Sequence, residues 1–371
     1  MGLPSIGIFL TPELWFWVAV YAIVSLSLNL EAGITGIPNF GKHLAVIMGA
    51  IVGAALPGYL GVHILPEEAK QAIIEAAGKG SLPSYASSYN SMISTYITNY
   101  YASHPAVSFA MFALTIITAA VVGAIVGLLA SYPAARLKED YLAITLLAAA
   151  EATLIISYNA PALGGTQGLT VPNTLTWLDS LTSRIVGRNM AHQVSSLIVA
   201  AVVAATILWY LERLVRSPMG RLLKGVRENE AAAQALGKNT AAIKLRTLMM
   251  GSALASIAGS IFIMATLGWI ATTYNRVSWT FWAWAMMILG GMGNNRGVLL
   301  GTFILASIRQ LITYYKDAIR PYLPFDPVWL DQLVLGSLLV VVLMLRPEGI
   351  FAEKTTYPLP RKMLEDKAAA R

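Results

Sequence analysis

The segment Arg213-Leu-Val-Arg-Ser-Pro-Met-Gly-Arg-Leu-Leu-Lys-Gly-Val-Arg-Glu-Asn-Glu-Ala-Ala-Ala-Gln-Ala-Leu-Gly-Lys-Asn-Thr-Ala-Ala-Ile-Lys-Leu-Arg246 is the one long polar, charged stretch in a chain otherwise built of apolar runs. The 371 residues are 56% hydrophobic and only 12% charged, against about 25% charged in a soluble domain. That is too little charge to cover a soluble surface, so the chain belongs in a membrane and this segment is where it meets water on one side. A net charge of +7 raises the question of nucleic acid. The basic residues sit in short clusters between apolar spans, however, so the charge reads as membrane topology and not as a nucleic-acid partner. With no Cys there is no disulfide, no Cys-ligated zinc and no thiol nucleophile. No Lys or Arg precedes Lys42, so the first apolar run is expected to be retained structure and not a signal peptide.

A spanning helix needs about 20 mostly apolar residues. Nine segments qualify to varying degree: 13–31, 43–61, 106–131, 140–158, 194–212, 245–268, 277–293, 297–315 and 331–346. The seventh and ninth are short, giving a range of eight to ten. The fold class is thus all-α, a polytopic membrane helical bundle with broken or re-entrant segments. Arg213, Arg216, Arg221, Lys224, Arg227, Lys238, Lys244 and Arg246 crowd the opening segment, and Arg346, Arg361, Lys362 and Lys367 follow the last span. The positive-inside rule puts both in the cytoplasm. Four spans separate them, so the parity agrees; Arg136 and Lys138 then lie inside, while the 62–105 and 159–193 loops and the N-terminus lie outside. The organisation is a single transmembrane domain, 1–352, with an external insertion at 62–105, the cytoplasmic loop at 213–246 and a cytoplasmic tail, 353–371.

Within the insertion, Pro66 to Ala77 reads as a short amphipathic helix stopped at Gly78, and Ser81 to His104 as a wet, irregular loop. Small residues four apart, namely Ala119, Gly123 and Gly127, Gly251, Ala255 and Gly259, Gly49 and Gly53, and Gly297 and Gly301, predict close helix packing, which lipid leaves to van der Waals contact. Two glycine-rich breaks are more informative: Ala32-Gly-Ile-Thr-Gly-Ile-Pro-Asn-Phe-Gly41 and Leu163-Gly-Gly-Thr-Gln-Gly-Leu-Thr-Val-Pro172. Each reads either as an ordinary surface turn or as a non-helical backbone lining a solute cavity. In the topology above they face opposite sides.

Glu151 lies within an apolar span, where an ionisable group costs at least about 2.5 kcal/mol and is a functional candidate by default; hydrogen bonding to a neighbouring helix is the structural alternative. Glu31, Lys42 and His43 are explained by the membrane interface, Arg296 is interfacial, and Arg309 snorkels or pairs with an acid. No catalytic constellation is present: no His-Glu-x-x-His and no Gly-Lys followed by Ser or Thr, and no Gly-x-Ser-x-Gly. Neither metal nor cofactor is expected. Arg221 to Leu236 predicts one short helix begun near Pro218 and stopped at Gly237, whose Ala231, Ala232, Ala233, Ala235 and Leu236 give a small smooth surface for a partner's groove. Resting on anionic membrane lipid is the competing use.

The segment from Ser217 to Gly237 resembles the cytoplasmic coupling loop of branched-chain amino acid ABC transporter permeases. Other stretches resemble that family in its order: Gly33-Ile-Thr-Gly36 with Asn39-Phe-Gly41; Arg136 to Thr145, then Glu151 and Gly164-Gly-Thr-Gln-Gly168, which resemble the LivM-type subunit; Leu289-Gly-Gly-Met-Gly293; and Leu345-Arg-Pro-Glu-Gly-Ile-Phe351. The resemblance runs from about residue 15 to 352. It implies a permease subunit in a prokaryotic cytoplasmic membrane, partnered by a LivH-type sister, two cytoplasmic ATPase subunits and an external solute-binding protein, with no enzymatic activity of its own. It implies ATPase coupling through Arg227, Glu230, Ala232, Ala233, Leu236 and Gly237. The substrate pathway would involve Gly33, Thr35, Gly36, Asn39, Glu151, Gly165, Thr166, Gln167 and Gly168. An ion-coupled secondary transporter using Glu151 as a proton site is the alternative reading. Three departures from the family pattern stand out: Lys42 where His is frequent, Arg296 in a usually apolar turn, and a long 62–105 insertion.

Overall fold

The computed structural model describes residues 11–134, 137, 139–322, 324–326, 328–346, 348–351 and 353. Arg136, Lys138, Arg361, Lys362, Lys367 and the 354–371 part of the predicted tail lie outside the described residues. Fourteen α-helices follow in order: α1 (Pro12–Leu28), α2 (Lys42–Ile64), α3 (Glu67–Ala77), α4 (Asn90–Ser103), α5 (Pro105–Ala134), α6 (Glu139–Asn159), α7 (Thr176–Val186), α8 (Arg188–Arg216), α9 (Pro218–Glu228), α10 (Glu230–Ala235), α11 (Thr240–Thr266), α12 (Trp282–Gly290), α13 (Asn295–Ile319) and α14 (Val328–Leu345). A two-stranded antiparallel sheet joins β1 (Leu169–Thr170) to β2 (Gly268–Trp269).

Among the described residues seven helices are long and apolar enough to cross a membrane, and two more, Val277–Gly290 and Trp329–Leu345, are apolar but only 10–17 residues long. These nine coincide with the nine predicted segments, including the two expected to be short. α1 is the central post. It is apolar all round and packs against α8, α11, α12 and α13, as a helix without a polar face must. α11 is wedged between α2 and α5, where the small-residue faces meet as predicted. Ser256 Oγ donates to the Ala119 carbonyl at 2.6 Å, and a Cβ on Gly259 would overlap the Val46 carbonyl oxygen. Large side chains on these faces would hold the helices apart and forfeit the contact that replaces the hydrophobic effect in lipid.

The bundle has two ends. α2 and α6 run side by side in the same direction, since Gly41 abuts Leu146 at their starts and Tyr59 Oη donates to the Ala162 carbonyl at 2.8 Å near their finishes. The first glycine break therefore lies at one end and the second at the other. The second folds as two 3-10 turns, Pro161–Leu163 and Gly165–Gln167, leading into β1.

The 62–105 segment departs from expectation. α3 begins after Pro66 and stops at Gly78, whose φ is +61°, as predicted, but Ser81 to His104 is not an irregular loop. Its second half is α4, because Ile93, Ile97 and Tyr101 recur at helical spacing and are fully buried. Tyr101 Oη donates to the Pro57 carbonyl at 3.0 Å, and Tyr85 Oη to Thr170 at 2.9 Å. Burial pushes the Tyr85 phenol up to about 12. The segment is a packed cap over α2 and β1.

Candidate functional site

At the first break the helix of α1 widens into a π-helical turn, Asn29–Ile34, a local irregularity that often marks a functional position. In this stretch and its continuation Asn29, Glu31, Gly33, Thr35, Asn39, Gly41, Lys42 and His43 are all buried. Thr35 Oγ1 donates to the Leu30 carbonyl at 2.9 Å, which satisfies a group the broken helix has freed. Glu31 and Lys42 are both fully buried and pair at 2.8 Å. Asn39 Nδ2 donates to the other Glu31 oxygen at 2.9 Å, and Lys42 Nζ donates to the Gly251 carbonyl at 3.1 Å. Glu31, Lys42 and His43 are thus not interfacial as expected. The turn of the break folds their side chains back into the bundle, where each charge meets its opposite.

Three sequence motifs converge on this turn. Asn29 Oδ1 accepts from the Gly293 amide at 2.8 Å while its Nδ2 donates to Asn295 Oδ1 at 2.9 Å. The Ile350 amide donates to the Leu289 carbonyl at 2.8 Å and the Phe351 amide to Gly290 at 3.1 Å, so the stretches Leu289–Gly293 and 348–351 close on one another. The third is the charged segment: Arg227, the penultimate residue of α9, donates from Nη1 to the Gly33 carbonyl. From Nη2 it donates to Glu353 Oε2 at 2.7 Å, whose other oxygen pairs with Lys224 Nζ at 2.6 Å. Gly36, at φ +80°, presents its bare Cα to the Arg227 side chain, where a Cβ would collide.

The charged segment is not one helix. Asn229 leaves helical geometry, with φ −157° and ψ 100°, and caps α10 by accepting from the Ala232 amide at 2.9 Å. An Asn at this position satisfies an amide at a new helix start, so the run divides into α9 and α10. Pro218 opens α9 under a Ser217 cap, and Gly237 stops α10 at φ +73°, both as predicted. Glu230 is tied to Lys244 of α11 at 2.6 Å. Burial alone would raise its pKa, but the hydrogen bond and charge of Lys244 outweigh that and hold it below the ordinary carboxylate value. Ala233 is buried against the bundle, while Ala232 and Leu236 face outward, Leu236 being 78% exposed.

Glu151 sits elsewhere. It lies about 18 Å from the start of α6 and about 12 Å from its end at 1.5 Å per residue. Its Oε1 is 3.4 Å from Arg276 Nη1 and 3.8 Å from Nε2 of the fully buried His43. Arg276 was not among the candidates, although a signal existed: it precedes an apolar run too short to span, so that run must begin at depth. Between α11 and α12 the chain passes through β2, a 3-10 turn (Ala271–Tyr274) and a second π-helical turn (Val277–Phe281). This third irregular stretch lowers Arg276 toward Glu151. Gly165 and Gly168 are half-buried, Thr166 and Gln167 exposed, and the four lie at the far end, away from Gly33, Thr35, Gly36 and Asn39. Elsewhere Arg309 pairs with Asp331 at 3.2 Å, and the exposed Arg296 approaches Glu212 at 3.8 Å.

Comparison with known proteins identifies the family. The family described as branched-chain amino acid transport system / permease component matches residues 11–343. The chain is 37% identical, over 94% of its length and 96% of the relative's, to the "Probable branched-chain amino acid transport permease protein LivM" of Methanocaldococcus jannaschii. It is 29% identical over 68% of its length, and 59% of the relative's, to the high-affinity branched-chain amino acid transport system permease protein LivM of Escherichia coli. The LivH permease of the same bacterium is 28% identical over 36% of this chain and 40% of its own length. No solved structure matches at a significant level. A polytopic helical bundle whose motifs meet at a broken first helix, matched over nearly its whole length, places the chain in the family of branched-chain amino acid transport system permease components, LivM type.

Proposed function

We propose that this chain is one transmembrane half of an ABC importer for branched-chain or related amino acids. In this reading it pairs with a LivH-type sister, receives solute from an external binding protein and is driven by two cytoplasmic ATPase subunits. The observation that carries the reading is the contact of α9 with the first break: Arg227 bonds the Gly33 carbonyl, so a push on α9 and α10 reaches the end of α1, the central helix of the bundle, directly. α10 offers small outward residues, Ala231, Ala232, Ala235 and Leu236, a surface suited to a groove on another protein.

A second observation supports pairing. Arg276 and Glu151, with side chains 52% and 31% exposed, lie at membrane depth on the surface of the subunit. Charges there are costly against lipid and face water or protein, so this face borders a solute path or a sister subunit.

The test is reconstitution with the neighbouring ATPases, sister permease and binding protein, comparing wild type with Ala232→Arg. The substitution should abolish ATPase association and uptake, because a long charged side chain would stand in the contact. Unimpaired association and uptake would overturn the docking claim. Uptake that persists without any ATPase and collapses with the proton gradient would instead establish the ion-coupled carrier with Glu151 as its proton site.

A further inference from the structure

We infer that Glu151, Arg276 and His43, with Thr280 behind them and the Phe40–Trp284 ring pair beside them, form a binding site for a zwitterionic α-amino acid within the membrane. The inference rests on the importer reading above and specifies where in this chain the solute is recognised.

The polar half of the site is a partly exposed charge pair: Arg276 Nη1 and Glu151 Oε1 are 3.4 Å apart. An amino acid carries a carboxylate and an ammonium on one carbon. It can therefore slip between the two, the carboxylate taking the Arg276 fork and the ammonium taking Glu151. Each protein charge exchanges one opposite charge for another, so binding leaves none unpaired, the condition under which charge is tolerated away from water. A solute with only one of the two groups would strand Arg276 or Glu151. The site therefore selects against amines and simple carboxylates by the penalty of an unpaired charge at membrane depth.

His43 supplies the independent sign of a missing partner. Its ring is fully buried, its backbone N–H donates to Thr280 Oγ1 at 3.0 Å, and its Nδ1 lies 3.1 Å from the same oxygen. Nε2 has no hydrogen-bond partner and points toward Glu151 at 3.8 Å. With the Thr280 hydroxyl donating to Nδ1, the ring proton sits on Nε2 and can be donated to a carboxylate oxygen entering the gap. A buried polar atom left without a partner calls for an explanation, and a bound solute provides one.

The apolar half lies about one turn away along the chain from His43 and from Thr280. Trp284 follows Thr280 by four residues, Phe40 precedes His43 by three, and their rings stack at 4.7 Å with an interplanar angle of 10°. Trp284 Nε1 is satisfied by the Asn39 carbonyl at 3.2 Å, which fixes the ring and, with Phe40 on one face, leaves the other for apolar contact. Both rings are half-buried. The combination of a charge pair and an aromatic wall suits a headgroup with an aliphatic side chain.

The experiment uses the complete transporter in lipid nanodiscs without binding protein. Ile155→Cys, one turn from Glu151 and 58% exposed, is the sole cysteine of this chain, since the native sequence has none. The partner subunits are made cysteine-free. Leucine at millimolar concentration should slow labelling of this thiol by a methanethiosulfonate reagent several-fold, whereas 3-methylbutylamine and 4-methylpentanoate should not. Arg276→Gln and Glu151→Gln should each remove the protection, while Trp284→Ala should weaken protection by leucine more than by alanine. Unchanged melting temperatures verify that the variants fold. Labelling indifferent to leucine in a complex that imports leucine would overturn the site and leave the importer reading intact. Failure of the intact complex to import leucine would overturn both.

Discussion

Lys42 is the residue whose environment says most about the break. Its side chain has no exposure, and its amine is met by Glu31 and the Gly251 carbonyl. Removing one member of a buried pair leaves the other uncompensated and costs about 3–5 kcal/mol, whereas replacing both is far milder. Lys42→Met should therefore lower the thermal unfolding midpoint in detergent sharply. Glu31→Gln combined with Lys42→Met should cost less than the sum of the single changes. Additivity of the two would show that the pair does not act as a unit. A second residue is sensitive to acid. Asp179 of α7 is held below the ordinary value of 3.8: burial alone would raise it, but its hydrogen bonds, with His192 first, outweigh that. A depressed native pKa contributes stability that is present above the unfolded value and lost as pH falls through the native one. His192 Nδ1 lies 3.1 Å from Asp179 and its Nε2 3.1 Å from the Ala265 carbonyl, so this contact ties α7 to α8 and α11. Unfolding midpoints recorded as pH is lowered below about 4 should fall more steeply for the wild type than for Asp179→Asn. Parallel curves would remove Asp179 from the account.

At the scale of elements, α9 and the π-helical end of α1 behave as one joint. Arg227 bridges the Gly33 carbonyl and the Glu353 carboxylate, and hydrogen bonds to charged groups are worth about 1.5–3 kcal/mol. Arg227→Ala should thus reduce the number of solutes moved per ATP hydrolysed by about tenfold, the factor equivalent to about 1.4 kcal/mol. ATPase association should survive, because the outward face of α10 is untouched. A variant with wild-type coupling would show that the joint transmits nothing. Much of this joint was legible in the sequence: the glycines of the break stand out on composition, and the Leu289–Gly293 motif and the loop that carries Arg227 through the family resemblance. Their meeting was not, because 194 residues separate Arg227 from Gly33 and periodicity carries no information about such contacts. α9 and α10 read as one helix because Arg221 to Leu236 are nearly all helix formers, and the single Asn that divides them acts through its cap and not through propensity. α4 was hidden by a composition of Ser, Tyr and Asn that imitates a loop, its apolar face being only three residues wide. Arg276 was missed because a lone Arg beside a span looks interfacial until the path of the chain lowers it to Glu151.

Across the whole molecule, the arrangement of charge implies one orientation. α9, α10, the end of α8 and the start of α11 gather Arg213, Arg216, Arg221, Lys224, Arg227, Lys238, Lys244 and Arg246 at the end that holds the first break. The far end, where α3, α4 and α7 lie, offers Lys70, Lys79, Arg184 and Arg188 beside Glu67, Glu68, Glu75 and Asp179, so its basic residues are fewer and balanced by acids. Lys70 is moreover paired with Glu67 at 2.8 Å. On the importer reading proposed above, the positive-inside rule puts the break in the cytoplasm, where α10 would meet an ATPase, and the cap outside, where a solute-binding protein would dock. Because the native chain lacks Cys, single cysteines report sidedness without background from this chain. Ala76→Cys on α3 and Ala232→Cys on α10 both sit at exposed positions. A membrane-impermeant thiol reagent added to intact cells should label the first and spare the second, and permeabilisation should expose the second. The opposite pattern would invert the topology. It would also remove α10 from reach of any cytoplasmic ATPase, so sidedness and coupling stand or fall on the same pair of thiols.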